Sequence, residues 1–166
     1  MSELDLRHAE RGDMAALIET NRASETLHHP WVSPPVDQAS FDTWFAQTVT
    51  GANVSLIARL CETGQIVGVF NLSNIVLGNF RSCFLGYYGM ANAVGRGWIT
   101  KALSMVVTHA FQEIGLHRIE ANIQPGNARS IALVQRCGFQ KEGFSPRYLK
   151  IDGEWRDHER WAKLAD

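Results

Sequence analysis

No apolar run in this 166-residue sequence is long enough to cross a bilayer. The opening Met1-Ser2-Glu3-Leu4-Asp5 lacks the basic-then-apolar pattern of a secretory signal, so a cytoplasmic chain with no membrane partner is expected. Cysteine is scarce. Cys61, Cys83 and Cys137 are odd in number and widely spaced, which fits neither a disulfide framework nor a zinc site and points to reduced thiols. Neither sign of charge dominates: 16 Lys and Arg against 17 Asp and Glu leave a net charge of −1. With no basic run, a nucleic-acid-binding surface is not expected as the main function. Repeats, low-complexity segments and linkers are missing as well. What remains is 45% apolar and 20% charged, globular in composition, and of a length that suits one domain over residues 1–166.

The most informative stretch runs from Phe84 to Asn127. It reads as a strand (Phe84 to Met90), a glycine turn (Asn92-Ala93-Val94-Gly95-Arg96-Gly97), a long helix and a second strand from His117. In the helix, Ile99, Leu103, Val106, Ala110 and Ile114 recur at helical spacing, widened by Ala102, Val107 and Phe111, and Gly115 supplies a C-cap. In the second strand Ile119, Ala121 and Ile123 alternate with Arg118, Glu120, Asn122 and Gln124. Strands joined through a helix are parallel, and ligands of such units sit beyond the carboxyl ends of the strands. Gly95 and Gly97 stand there, next to a helix N-terminus with unpaired N–H groups. A phosphate-bearing cofactor held by backbone amides from Asn92 to Thr100 is one reading; two glycines that merely shape a tight turn is the other.

Around this core, Leu4 to His8 reads as a first strand and Gly12 or Asp13 starts a helix, with Asp13 as cap and Met14, Leu17 and Ile18 on its apolar face. The three prolines in Leu27 to Pro35 forbid a regular helix or strand there. Phe41, Trp44, Phe45 and Val49 space out a second helix after Asp37 or Ser40. Asn53 to Leu60 and Gln65 to Leu72 form a hairpin about Glu62-Thr63-Gly64, and a third antiparallel strand begins near Phe80. Gly86 and Gly89 inside it mark a bulge or a close backbone approach. Asn127 caps a short helix to Arg136, Gly138 stops it, and Asp152-Gly153 turns a last hairpin. The order predicts an α/β (α+β mixed) sheet with helices on its faces.

These residues resemble the GNAT superfamily of acetyl-CoA-dependent N-acetyltransferases over nearly the whole chain. The turn Asn92 to Gly97 is similar to that family's Gln/Arg-x-x-Gly-x-Gly/Ala loop, with Asn in the first place. Leu116 to Ala121, Pro125 to Ser130, Cys137 to Gly143 and Tyr148 to His158, with Asn21-Arg22 and Pro30-Trp31, resemble the branch of ribosomal-protein alanine and serine N-acetyltransferases, the Rim type. The resemblance implies the GNAT fold, with a mostly antiparallel sheet and a parallel pair at the cofactor site. It implies acetyl-CoA as cosubstrate and direct attack of a neutral amine on the thioester. Backbone N–H groups of Gly95, Arg96, Gly97, Trp98, Ile99 and Thr100 would hold pyrophosphate, while Tyr88 and Met90 would pair with pantetheine. The Met90 N–H would polarise the carbonyl, and Asn92, Asn122, Asn127 and Ser130 complete the expected cofactor set.

Ser130 has two readings: a first-turn hydroxyl bonded locally, or, as in the Rim type, a hydroxyl near the sulfur that protonates the leaving thiolate. The tyrosine that many relatives carry four residues on is Val134 here. Where some carry a glutamate base stands Asn122, so Glu120, two residues earlier on the same face, is the candidate base through water, against an ordinary ion pair. Without a strong base, an α-amine of pKa about 7.7–8.0 is a better acceptor than a lysine near 10.4. Trp31 either lines the acceptor groove or is simple core, and His28-His29 reads as solvent loop before metal ligand, with no metal expected. Cys137 reads as packing before nucleophile. Ser130, Asp157 and His158 have no nucleophile elbow to make them a hydrolase triad. The expected function is acetyl transfer to a protein N-terminal α-amine, a ribosomal protein being the implied partner. A small amine acceptor and a CoA-binding regulator without turnover stay open beside it.

Overall fold

The computed structural model describes residues 3–166; of the expected 1–166 unit, residues 1 and 2 lie outside the described residues. Seven strands form one sheet in the order β1-β2-β3-β4-β5-β7-β6, where β1 is Leu4–His8, β2 Val54–Leu60, β3 Ile66–Val76, β4 Ser82–Gly89, β5 Arg118–Ile123, β6 Gln140–Ile151 and β7 Glu154–Leu164. All pairs are antiparallel except β4 with β5, the pair joined by the long helix. The expected mixed α/β sheet with a single parallel pair is therefore present. No described helix is long and apolar enough to cross a membrane.

Helices cover both faces. On one side α1 (Met14–Ala23), the four-residue α2 (Glu25–His28) and α3 (Gln38–Thr48) precede β2, and Leu17 and Phe41 pack there with Ile57, Val69, Tyr88 and Met90. On the other, α4 (Trp98–Gln112) and α5 (Ala128–Arg136) bury Ala102, Leu103, Val106, Ala110, Leu133 and Val134 against Phe70, Leu85, Ile119 and Ala121. The apolar stripe read along α4 is thus the face that meets the sheet. Gly115 turns the chain at φ +80° while Leu116 N–H donates to the Ala110 carbonyl, closing the end of the helix.

Several local expectations need correction. Asp13 precedes α1 without capping it: its carboxylate accepts from the Glu10 N–H and pairs with Arg59. The α3 cap is Asp37, which accepts from Ser40 N–H at 2.8 Å. Leu27 and His28 are helical, in α2, so the irregular segment begins only after them. Strand β3 runs on to Val76, and β4 occupies Ser82–Gly89 and not Phe84–Met90. Neither Gly86 nor Gly89 is a bulge, since the β3–β4 register shifts only between Ser73 and Val76. Gly89 is a close approach: a Cβ there would stand 2.3 Å from Ile99 Cδ1 of α4.

Candidate active site

Parallel pairing of β4 and β5 lasts three positions, Ser82 with Arg118, Cys83 with Ile119 and Phe84 with Glu120. Beyond it β4 stays on β3 to Gly89 while β5 stays on β7, so the two strands part and leave backbone groups without a ladder partner. A cleft of about 660 Å³ opens at this split. Its walls come from four places: Leu27, His28, Trp31 and Val32 after α1; Tyr87, Tyr88 and Gly89 at the end of β4; Ala93, Val94, Gly95, Gly97, Ile99 and Thr100 in and after the glycine turn; and Asn127, Arg129, Ser130, Leu133 and Arg136 in and before α5.

The glycine turn forms the floor. Gly95 and Gly97 both take φ +78°, and a Cβ on either would meet nothing within 4 Å, so both peptides present bare backbone to the cleft. Gly97 is the N-cap of α4 with no side chain closing it, and the first helical bond runs from Lys101 N–H to the Gly97 carbonyl. The N–H groups of Trp98, Ile99 and Thr100 therefore have no intrahelical partner. With the helix dipole this is an anion seat. Arg129, Leu133 and Arg136, at spacings of four and three, form one stripe of α5 that brings two arginines to the wall of the same cleft. Sequence reasoning missed both arginines, although their spacing was readable once α5 was placed.

Opposite the floor, Tyr87 Oη lies 2.5 Å from Ser130 Oγ. Burial pushes the Tyr87 phenol up to about 12, with the Ser130 hydrogen bond working the other way, so it stays protonated and can donate to Ser130. The Ser130 N–H in turn donates to Asn127 Oδ1 at 3.3 Å, the helix cap that was expected. Val134 is buried in the core. A hydroxyl partner for Ser130 thus comes from β4 and not from four residues on, and no local signal in α5 announces it. Trp31 lies over the Gly126 backbone, where a Cβ would be 3.3 Å from its ring, and lines the cleft.

Of the expected site residues, Trp31, Tyr88, Gly95, Gly97, Ile99, Thr100, Asn127 and Ser130 converge on the cleft; Met90, Asn92, Arg96, Trp98, Glu120 and Asn122 do not line it. The Met90 N–H cannot polarise a thioester, because it donates to the Val67 carbonyl at 2.9 Å and the residue is fully buried. Antiparallel alternation turns the peptide groups of Gly89, one residue earlier, away from β3. Glu120 is held by Arg118 at 3.0 Å, and Arg118 also binds Glu142. It is an ion-pair residue away from the cleft. Asn122 sits beside it, its Nδ2 3.4 Å from the carboxylate. His28 is no solvent loop: it is 4% exposed and walls the cleft. The Cys137 thiol is raised by burial and touches Ser104 and the Thr100 carbonyl, a packing role. Among the described residues no three His, Cys, Asp or Glu side chains are grouped to hold a metal ion.

A splayed parallel pair, a glycine-walled anion seat and a hydroxyl couple together form a cleft suited to a phosphate-bearing cosubstrate. Residues 3–140 match the acetyltransferase (GNAT) domain family, and the chain belongs to that family. Over 94 residues it is 45% identical to the [ribosomal protein uS5]-alanine N-acetyltransferase of Escherichia coli, covering 57% of this chain and 48% of that one. The chain spans about half the length of that relative. Among solved structures, Mycobacterium smegmatis RimJ in complex with CoA-disulfide superposes with TM-score 0.87 at 32% identity, covering 98% of this chain and 82% of that one. Vibrio cholerae spermidine N-acetyltransferase in complex with CoA and spermine superposes with TM-score 0.82 at 20% identity, over 99% and 96% of the two chains, which shows the shared fold alone. Acetyl-CoA is the acyl donor of this family, and the walls described fit its phosphates.

Proposed function

We propose that this N-acetyltransferase acts in the cytoplasm on a protein N-terminal α-amine, a ribosomal protein being the kind of partner its Rim-type relatives suggest. The observation that carries the acceptor class is the absence of any Asp or Glu among the residues that line the cleft. A polyamine with several positive charges finds no counter-charge there, and a lysine amine, neutral about once in several thousand molecules at pH 7, finds no carboxylate to deprotonate it. An α-amine of pKa about 7.7–8.0 needs far less help.

In this reading the N–H groups of residues 95–100 and the guanidinium groups of Arg129 and Arg136 bind the cosubstrate phosphates, and the unpaired edge of β4 near Gly89 aligns its pantetheine arm. Ser130 then gives a proton to the departing sulfur, with Tyr87 donating to the serine oxygen as negative charge builds on it. The test is CoA release with purified protein against Ala- and Ser-starting peptides, the same peptides N-blocked but containing lysine, and a set of small amines. Turnover confined to the free α-amine peptides is expected. Turnover confined to a small amine would replace the acceptor, and tight CoA binding with silence throughout would point to a binding protein.

A further inference from the structure

Among the described side chains, four buried polar atoms have no hydrogen-bond partner: Asn21 Oδ1, His28 Nδ1, Tyr88 Oη and Asn122 Oδ1. Buried polar atoms in folded proteins are satisfied in the great majority of cases, so such a set asks for an explanation. Three of the four belong together. The His28 and Tyr88 rings meet edge to face at 5.0 Å, and Asn21 adjoins the Tyr88 hydroxyl without a hydrogen bond of good geometry. Both rings belong to the cleft wall. Asn21 is fixed behind them, its Nδ2 bonded to the Pro35 carbonyl at 2.8 Å.

The chemistry of this cluster follows from one distance. His28 Nε2 lies 2.7 Å from the Gly89 carbonyl oxygen. A carbonyl only accepts, so Nε2 carries the hydrogen, and in a neutral imidazole Nδ1 is then a bare lone pair. Burial holds the imidazole below its usual pKa, opposed by the bond to the Gly89 carbonyl, with no charged group contributing. The titratable group packed on it is the Tyr88 phenol, itself raised by burial. His28 is therefore neutral at pH 7. Nδ1 and Asn21 Oδ1 are acceptors and the Tyr88 phenol has a single hydrogen to give, so the cluster is short of donors. A primary amine brings two N–H groups and an ammonium three.

We propose that His28 and Tyr88 form the seat of the acceptor amine and that His28 Nδ1, directly or through one ordered water, takes its proton. This rests on the acetyltransferase reading above and gives that reading the base it lacked. One proton passes from the ammonium to Nδ1, and the freed nitrogen pair forms the N–C bond. The C–S bond breaks with its pair on sulfur, which takes a proton from Ser130, and the second proton of the attacking nitrogen restores the serine hydroxyl. Of the two protons that nitrogen sheds, one ends on sulfur and one leaves through His28 to solvent. Transfer from an α-amine to so weak a base is uphill by more than about tenfold, and from a lysine amine by roughly ten thousandfold. The base itself thus selects low-pKa amines.

The test uses His28→Gln, whose side-chain N–H can still meet the Gly89 carbonyl but which lacks the Nδ1 base, and Tyr88→Phe, which removes only the hydroxyl. With an Ala-starting peptide, His28→Gln is expected to lower kcat/KM by about 100-fold or more. Its acidic limb should move from below the usual histidine pKa, about 6.5, up to the amine's own, about 7.7–8.0. Tyr88→Phe should raise KM for the peptide, and both variants should bind CoA as the parent does. A His28→Gln enzyme with an unmoved limb and near-parental kcat/KM overturns the proposal. So does an imidazole ¹⁵N spectrum of the unsubstituted protein showing His28 Nδ1 protonated at pH 7.5, which needs no turnover. If only a small amine is acetylated, the α-amine reading falls, and the same comparison on that amine decides for or against His28.

Discussion

Gly89 joins the strand that lines the cleft to the helix that floors it, and replacing it with alanine tests that join. A Cβ at this position would stand 2.3 Å from Ile99 Cδ1 and 3.3 Å from Ile99 Cγ1, so Ile99 must move. It has somewhere to go, because it is partly buried and already lines the cleft. Forcing its χ angles off a rotamer costs about 0.5–1.5 kcal/mol, and the displaced δ-methyl enters the cleft in which we place the cosubstrate. Gly89→Ala should therefore weaken CoA binding about two- to tenfold. Ile99→Val deletes the colliding Cδ1 and leaves the other Ile99 atoms at 3.3 and 3.9 Å. In the Gly89→Ala/Ile99→Val double variant most of the lost affinity should return. Calorimetric titration of CoA into the four proteins gives the coupling energy directly. An additive cycle, or a Gly89→Ala protein that binds CoA like the parent, would show that the contact does not shape the cleft.

Two further outcomes follow from the same geometry. Ser130→Ala should lower kcat by about 100-fold and Tyr87→Phe by about tenfold, with CoA affinity kept; because the two hydroxyls act as one unit, the double variant should be hardly worse than Ser130→Ala, as single-turnover kinetics would show. The Arg118 guanidinium holds the Glu142 carboxyl below its usual range. A depressed carboxylate stabilises the fold above its unfolded pKa of about 4.5 and stops doing so as pH falls through the lower folded value. Urea titrations of the parent and Glu142→Gln should therefore differ at pH 7 and converge as the pH falls through the depressed folded-state pKa, by a modest amount since the Glu142 side chain is 39% exposed.

The elements legible in the sequence are those whose cause is local. The α4 stripe, the β5 alternation, the Asn127 cap and the glycine turn each depend on residues within one or two helical turns of one another, and each stands where the residues put it. The chemistry is different, because it depends on which long-range partner a group has already taken. Met90 N–H looked available only until the β3 register assigned it to Val67. Glu120 looked like a base until Arg118, itself bound to Glu142, took its carboxylate. His28 looked solvated because two histidines before a proline read as a loop, whereas α2 folds it beneath Gly89, 61 residues away.

Ser130 makes the same point in the positive sense. Its motif position directs attention to residue 134, yet Val134 belongs to the buried face of α5, where a phenol would need a partner the core does not offer. The hydroxyl arrives instead from Tyr87, 43 residues earlier. Tyr87 and Tyr88 are neighbours on one strand, so their side chains leave on opposite faces. The first packs by Phe70 and reaches Ser130; the second packs by His28. In the reaction we propose, one pair of tyrosines serves both ends, the sulfur that leaves and the amine that arrives. The pleat of β4 sets that division before any side chain chooses a rotamer.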